Sequence, residues 1–138
     1  RELERLKRIA KSEGVYDDAR FRDQIALLEI DVVALEMMVL RVLWAEKSGK
    51  QSLDVAGLLK IRGSEIQQRY SELMMLAGGP CTVPYLHEAM EAGWQGDLVI
   101  DAYCLPLAGT YFNQRKTTIY GGSNEVQRNI VAQTVLGS

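Results

Sequence analysis

The sequence has very few of the side chains from which metal sites and nucleophilic active sites are built. Its 138 residues include a single histidine, His87, and two cysteines, Cys81 and Cys104. The cysteines form no Cys-x-x-Cys pair, and the three side chains together are too few for the usual structural zinc site. We therefore predict no metal site, and we interpret both cysteines as buried or free thiols of a protein in a reducing compartment.

Catalysis by a nucleophile and a general base also has little support. His87 would have to be the base, and the segment Tyr85-Leu86-His87-Glu88 contains no nucleophile elbow. A lone histidine on a helix is more often structural than catalytic. Acidic residues are numerous, but no pair stands out as an acid–base dyad. We therefore predict no catalytic residue within this chain.

Charge and hydropathy exclude two classes of partner. The 16 basic and 18 acidic residues give a net charge of -2 without a basic block, so we expect no binding to nucleic acid. No apolar run approaches the roughly 20 residues that cross a bilayer. There is no secretory signal either, which predicts a cytoplasmic protein, or one of the mitochondrial matrix in a eukaryote.

The chain opens without methionine on Arg1-Glu2-Leu3-Glu4, which looks like the middle of a helix. We therefore expect a piece of a longer protein with more than one domain. The length itself suits one domain with one core. We assign residues 1–138 to a single helical domain.

Apolar residues recur at the helical period and predict an all-α, antiparallel four-helix bundle. The clearest helix spans about residues 19–45, and its apolar positions are Ile25, Leu28, Val32, Leu35, Val39 and Val42. Further helices are predicted at about residues 1–12, 54–77, 98–113 and 124–136, with a short one at 85–92. We expect Pro106 near a bend of the fourth helix. No strand pattern appears.

Individual positions follow from these helices. Asp17 or Asp18 is expected to cap the second helix and Ser52 or Asp54 the third, because their oxygens can accept from unpaired backbone N–H groups. The third helix should bury Leu59, Ile66, Tyr70, Leu73 and Ala77. Its wet side should carry Arg62, Gln68 and Arg69. The methionine pairs are interpreted as core residues, and they are Met37-Met38 and Met74-Met75.

Glycine pairs mark two helix ends. Gly78-Gly79 stands before Pro80 and should stop the third helix, because proline cannot continue the hydrogen-bond ladder. Gly49 is expected to take the left-handed conformation after the second helix.

The second glycine pair, Gly121-Gly122, leads directly into the last helix, which Ser123 or Asn124 should cap. The first N–H groups of a helix lack internal partners, and glycine lets another molecule approach the backbone. The turn could therefore hold a phosphate or a flavin edge. It could equally be a tight turn between two helices, and the residues alone favour that second interpretation.

The segment IYGGSNEVQRNIVA, residues 119–132, resembles the C-terminal signature of acyl-CoA dehydrogenases. Val135-Leu136-Gly137 continues the likeness. Upstream, Leu76-Ala77-Gly78-Gly79 is similar to the turn that follows the third bundle helix of that family. The resemblance covers essentially the whole chain, and residues 115–136 carry most of its specificity.

The resemblance implies a three-domain flavoenzyme that oxidises the Cα–Cβ bond of an acyl-CoA and passes electrons to an electron-transfer flavoprotein. It implies FAD as the cofactor and a homo- or hetero-oligomer centred on the helical bundle. Six positions match segments beside FAD, namely Gly78, Gly79, Tyr120, Gly121, Ser123 and Glu125. The two glycines of the first turn would face the cofactor of a partner subunit.

The chain departs from the family pattern at several of these positions. Gly121 stands where many members have the glutamate that removes the α-proton. The base would therefore lie upstream of Arg1 or on a partner chain, or it would be missing. Ser123 stands where threonine is frequent, and Glu125 replaces a frequent glutamine, so that a carboxylate that only accepts replaces an amide that also donates. Arg8 matches one flavin-contacting arginine, but the Phe-Gly and Phe-Gln elements expected nearby are missing.

These departures leave three hypotheses. The first is a fragment of an active FAD-dependent acyl-CoA dehydrogenase. The second is an assembly subunit of a hetero-oligomer that shapes a partner's site without doing chemistry. The third is an acyl-CoA oxidase or a nitroalkane-oxidase-like enzyme of the same superfamily. In each case the isolated bundle should fold, show no turnover and expose an apolar patch that promotes self-association.

Overall fold

The computed structural model describes residues 1–49 and 55–136. Within these ranges the chain forms five α-helices, which are α1 (Glu2–Ser12), α2 (Ala19–Lys47), α3 (Val55–Gly78), α4 (Leu105–Gln114) and α5 (Asn124–Leu136). Short 3-10 turns lie between them, and these described residues contain no β-strand. The predicted all-α class is confirmed.

The two long helices, α2 and α3, run antiparallel and are tied by polar pairs along their length. The guanidinium of Arg62 donates to Asp31, and that of Arg69 donates to Gln24. A forward step of seven residues on α3 thus matches a backward step of seven on α2. These pairs fix the register of the helix pair from which the rest of the fold is built.

The apolar core lies where α1, α2, α3 and α4 meet. Its buried members are Leu6, Ile9, Ala10, Phe21, Ile25, Leu28, Leu73, Met74, Ala77 and Leu107. Five of the predicted core positions are among them, namely Ile25, Leu28, Leu73, Met74 and Ala77, whereas Leu59, Ile66 and Tyr70 are half-buried. Burying such side chains stabilises a fold by roughly 1.5–3 kcal/mol each.

Helix ends follow the predicted chemistry where they are described. The carboxylate of Asp18 caps α2 by accepting from the backbone N–H of Arg20 at 2.8 Å. Gly49 takes a left-handed φ of 69° just after α2, and Gly14 one of 75° after α1. The predicted cap at Ser52 or Asp54 lies outside the described residues.

The predictions for residues 85–113 were wrong in detail. The fourth helix begins at Leu105, and Pro106 lies in its first turn instead of at a bend. Proline is compatible with the first turn of a helix because the N–H that it lacks would have no partner there. The predicted helix at residues 85–92 is a 3-10 turn at His87–Met90.

Two predicted faces differ from the structure. The predicted wet side of α3 is half-buried at Arg62, Gln68 and Arg69, because the two arginines pair with α2 and Gln68 with the segment before α5. Met37 is 57% exposed, whereas Met74 is buried as expected of a core residue. Both errors have one physical origin, because the helical period gives the spacing of a face but does not say which neighbour covers it.

A second apolar side of α2 faces away from the core. We call it the outer stripe, and its residues are Leu27, Ile30, Met37, Leu40 and Trp44. They recur at helical spacing, and Trp44 is 74% exposed. A helix that is apolar on both sides is typical of one with neighbours on both sides. No helix in the described ranges combines the length and hydropathy needed to cross a membrane.

Candidate functional site

The glycine turn before α5 projects from the bundle. Tyr120 is 56% exposed, and Gly121 and Gly122 are exposed beside it. Both glycines take left-handed backbone conformations, with φ of 68° and 84°. A side chain is strained in that region, so the turn depends on glycine at both positions. A Cβ added at Gly121 would meet no described atom within 4 Å, which leaves its backbone open to another molecule.

Ser123 begins the helix that follows. Its hydroxyl accepts from the backbone N–H of Val126 at 3.3 Å, which is the geometry of an N-cap. The open choice between Ser123 and Asn124 as the cap is thereby settled in favour of Ser123. The side chain of Asn124 is free for a different contact.

Glu125 is exposed in the first turn of α5. Its own backbone N–H and the Ser123 hydroxyl lower the pKa of the Glu125 carboxyl below the ordinary value. The carboxylate therefore stays ionised at neutral pH and only accepts hydrogen bonds. It favours a ligand group that donates, such as a hydroxyl or an N–H, over a phosphate.

Asn124 anchors the downstream side of the turn to α3. It is only 3% exposed. Its Oδ1 accepts from Lys60 Nζ at 2.7 Å, and its Nδ2 donates to Ser64 Oγ at 3.1 Å. One turn further along α5, Arg128 pairs with Glu65 at 3.0 Å. The start of α5 is thus fixed on α3 by directional bonds.

Gln68 and Arg115 anchor the upstream side. The amide of Gln68 donates to the carbonyl oxygens of Gln114 and Arg115, each at 3.2 Å. In return, the guanidinium of Arg115 donates to the carbonyl oxygen of Gln68 at 2.9 Å and to Ser71 Oγ at 3.0 Å. The 3-10 turn Arg115–Thr118, which leads into Tyr120, therefore cannot shift along α3 without losing several hydrogen bonds.

The α3 residues of both anchors form one polar row, which we call the polar ladder, and its members are Lys60, Ser64, Gln68 and Ser71. Sequence reasoning missed this row, and it also missed Asn124 as an anchor. A usable signal was present, because steps of four, four and three place polar residues on one face of a helix. The result is an exposed turn held between two anchored flanks.

The two glycines of the first pair, Gly78 and Gly79, lie in different surroundings. Gly78 is buried, and a Cβ there would lie 2.4 Å from Thr82 Cγ2 and 3.6 Å from Cys104 Sγ. Close packing within the chain therefore explains the glycine at this position. Gly79 has a left-handed φ of 60°, and an added Cβ would meet no described atom within 4 Å. Of the two, Gly79 is the residue that another molecule can reach.

The two glycine turns are not brought together within the chain. The second turn is anchored near Ser64, whereas Gly78 ends the same helix 14 residues further along. At 1.5 Å per residue this separates the two regions by roughly 21 Å along α3. A site that uses both kinds of turn at close range would need a second chain.

No group of three potential metal ligands occurs in the ranges 1–49 and 55–136. His87 is exposed and stacks on Tyr85, and the free thiols are one exposed, Cys81, and one buried, Cys104. A cleft of about 350 Å³ lies between α1, α3 and α4, with Glu2, Arg5 and Tyr70 in its lining. None of the six predicted cofactor-binding residues lines it.

Comparison with known proteins places this geometry in a family. Residues 4–136 match the model of the acyl-CoA dehydrogenase C-terminal domain. The acyl-CoA dehydrogenase IpdE1 of Mycolicibacterium smegmatis (strain ATCC 700084 / mc(2)155) is 27% identical over 137 residues, which are 99% of this chain and 30% of that protein.

Two solved structures share the fold. One is titled Tcur3481-Tcur3483 steroid ACAD, with a TM-score of 0.72 at 20% identity over 99% of this chain and 33% of that one. The other is titled FAD complex of PigA, with a TM-score of 0.66 at 15% identity over 97% of this chain and 33% of that one. The chain thus spans about a third of the length of these relatives, and it belongs to the acyl-CoA dehydrogenase family as its C-terminal domain.

Proposed function

We propose that the whole protein is an FAD-dependent dehydrogenase that oxidises the Cα–Cβ bond of an acyl-CoA thioester, and that this domain supplies flavin contacts and a subunit interface. The observation that carries the proposal is the exposed Tyr120–Ser123 turn with both flanks anchored to α3. A turn held in one geometry loses little conformational entropy when a ligand binds to it.

The residues of this turn fit the edge of a flavin cofactor. The open backbone at Gly121 admits close approach, and the exposed ring of Tyr120 offers an apolar face with a polar tip. Ser123 Oγ and the ionised Glu125 can accept from hydroxyl and N–H groups of the cofactor. Bound FAD would supply the two-electron acceptor for the oxidation.

Gly121 sets a limit on what the domain does in this reaction. It has no side chain that could take the α-proton. Glu125 does not replace it, because its carboxylate accepts hydrogen bonds from its own backbone N–H and from the Ser123 hydroxyl at the start of α5. The base of the active enzyme is therefore proposed to lie outside these 138 residues. This domain binds and orients the cofactor, and other parts of the assembly carry out proton transfer.

The separation of the two glycine turns supports a site shared between subunits. Tyr120–Ser123 would contact the flavin of its own subunit, while Gly79, roughly 21 Å away along α3, would face the cofactor of a neighbour. The outer stripe of α2 offers an apolar surface for assembly. Homo- and hetero-oligomers both satisfy this arrangement.

The test uses the full-length protein. We expect it to purify with flavin absorbance and to bleach when an acyl-CoA is added anaerobically, and then to reduce an electron-transfer flavoprotein. Straight-chain, aromatic and steroid side-chain thioesters should be compared, because the acyl pocket lies largely outside this domain. A correctly assembled protein that never retains flavin would refute the proposal. Oxygen consumption in place of electron transfer would indicate an oxidase.

The absent side chain at Gly121 favours a second candidate function. In that case the protein is a non-catalytic subunit that completes the flavin site of a different chain in a hetero-oligomer. Affinity purification of the tagged full-length protein from its native cells distinguishes the two. A homo-oligomer with full activity would exclude this second function, whereas a stable second chain carrying the base would support it.

A further inference from the structure

We propose that the polar ladder of α3 positions the glycine turn before any cofactor arrives, so that Lys60, Ser64 and Gln68 are positioning residues of the flavin site. This inference rests on the proposed function for the identity of the ligand. The positioning of the turn itself can be measured without a ligand.

The polar ladder lies directly beside both flanks of the turn. Its four members stand about one turn apart on a single face of α3, and the hydrogen bonds that the described residues show between them and other elements run to the two flanks of the turn. Lys60 and Ser64 hold Asn124 immediately after the turn. Gln68 holds the carbonyl oxygens of Gln114 and Arg115 before it. The exposed residues between them receive no such anchor from α3.

The polar ladder holds the flanks of the turn by hydrogen bonds. An apolar contact tolerates sliding, because its energy depends on buried area and hardly on angle. A hydrogen bond weakens steeply as its angle and length change. Bonds to a charged group, such as Lys60 Nζ to Asn124 Oδ1 at 2.7 Å, are roughly twice as strong as neutral ones. A polar row therefore suits a segment whose position matters more than its burial.

Asn124 is buried, so its side-chain amide depends on its hydrogen-bond partners. A side-chain amide that is 3% exposed costs free energy unless it is hydrogen-bonded, and Ser64 and Lys60 satisfy both ends of this amide. Displacing α5 by one residue would leave these groups buried and unpaired. The pairing thus selects one register of the turn against its neighbours.

The experiment measures hydrogen exchange in the full-length protein without flavin. Lys60→Met removes the charged bond to Asn124, and Arg69→Met is the matched control on the same helix, because Arg69 faces α2 through Gln24. We expect the hydrogen-bonded amides of this region, those of Ile119, Tyr120 and Val126, to exchange about tenfold faster in Lys60→Met, as loss of a charge-assisted bond implies. Arg69→Met should leave these amides unchanged.

A second pair of variants guards against a merely destabilised protein. Asn124→Asp keeps the acceptor for Lys60 and should exchange like the wild type, whereas Asn124→Leu should behave like Lys60→Met. Unchanged exchange at the turn in both Lys60→Met and Asn124→Leu would overturn the inference. Equal acceleration in core peptides around Leu28 and Leu73 would overturn it as well, because the ladder would then be general support for the fold.

Flavin affinity separates this inference from the proposed function. If the ladder positions a flavin-binding turn, FAD should bind about tenfold more weakly to Lys60→Met than to Arg69→Met. Faster exchange at the turn with unchanged FAD affinity would support the positioning role and contradict the flavin role of the turn. No acceleration of exchange would contradict the positioning role whatever the affinity.

Discussion

Two sides of α3 hold their neighbours by different chemistry. One side carries Leu73, Met74 and Ala77 into the apolar core shared with α1, α2 and α4. The other side carries the polar ladder, which binds the flanks of the glycine turn. The apolar side supplies stability that depends on buried area, and the polar side supplies position. The turn that we propose to bind the cofactor is on the polar side.

The largest effect is expected on the apolar side. Leu73 is fully buried, so Leu73→Ala should lower the free energy of unfolding by about 2–5 kcal/mol through lost burial and an internal cavity. Leu40→Ala removes the same atoms from the exposed outer stripe and should change it by less than about 0.5 kcal/mol. Urea unfolding of the 138-residue chain, followed by circular dichroism, gives both values. Equal losses would contradict the assignment of the core.

The next prediction concerns the outer stripe of α2, which we propose packs against a partner chain. Trp44→Glu replaces the aromatic residue of the outer stripe by a charged one and should weaken assembly of the full-length protein by about 2 kcal/mol or more. Arg20→Glu reverses an exposed charge at the start of α2, outside the stripe, and serves as the control. Analytical ultracentrifugation over a concentration series measures the change. Unaltered assembly of Trp44→Glu would remove the stripe from the interface.

A smaller effect is expected from alanine substitution of two glycines, and its sign should differ between the glycine turn and the interior of α3. Gly121→Ala forces a side chain into a left-handed conformation and should destabilise the chain by roughly 1–2 kcal/mol. Gly63→Ala lies inside α3, where an added Cβ meets no described atom within 4 Å, and should stabilise it by about 0.5–1 kcal/mol. Thermal unfolding ranks the two variants. A stabilised Gly121→Ala would show that the turn is not held in this conformation.

The smallest effect concerns the ionisation of Glu125. Its lowered pKa means that folding favours the carboxylate, so its contribution to stability exists above the pKa of the unfolded chain and is lost as the pH falls through the folded pKa. An NMR titration should place the midpoint below the ordinary value for glutamate. Ser123→Ala should move that midpoint upward, because the serine hydroxyl stabilises the charged form. A midpoint that ignores the substitution would refute the contact.

The apolar core was predictable from the sequence. Ile25, Leu28 and Leu73 repeat at the helical period and are buried as that period implies. The helix ends were also accessible, because Asp18, Gly49 and Gly79 carry cap and turn chemistry that acts over a few residues. Local rules suffice wherever the partners of a residue lie nearby in the chain.

The polar side was not predictable in the same way. Gln68 looked like a solvent-facing residue, and only the fold reveals that its partners are the carbonyl oxygens of Gln114 and Arg115. Lys60 and Asn124 are separated by 64 positions and meet only when α5 packs on α3. The prediction of where α4 begins was wrong because it also depends on the rest of the fold. Pro106 is compatible with either a bend or a first turn, and only the path of the preceding loop decides between them.

We propose that the Tyr120–Ser123 turn binds FAD in a conformation that only glycine at position 121 allows. The most direct test is an equilibrium titration of FAD into the full-length apoprotein, comparing the wild type with Gly121→Val. We expect tight binding by the wild type and at least about tenfold weaker binding by the variant, since a β-branched residue strains the left-handed backbone. Equal affinity in the two proteins, or no binding by the wild type, would contradict it.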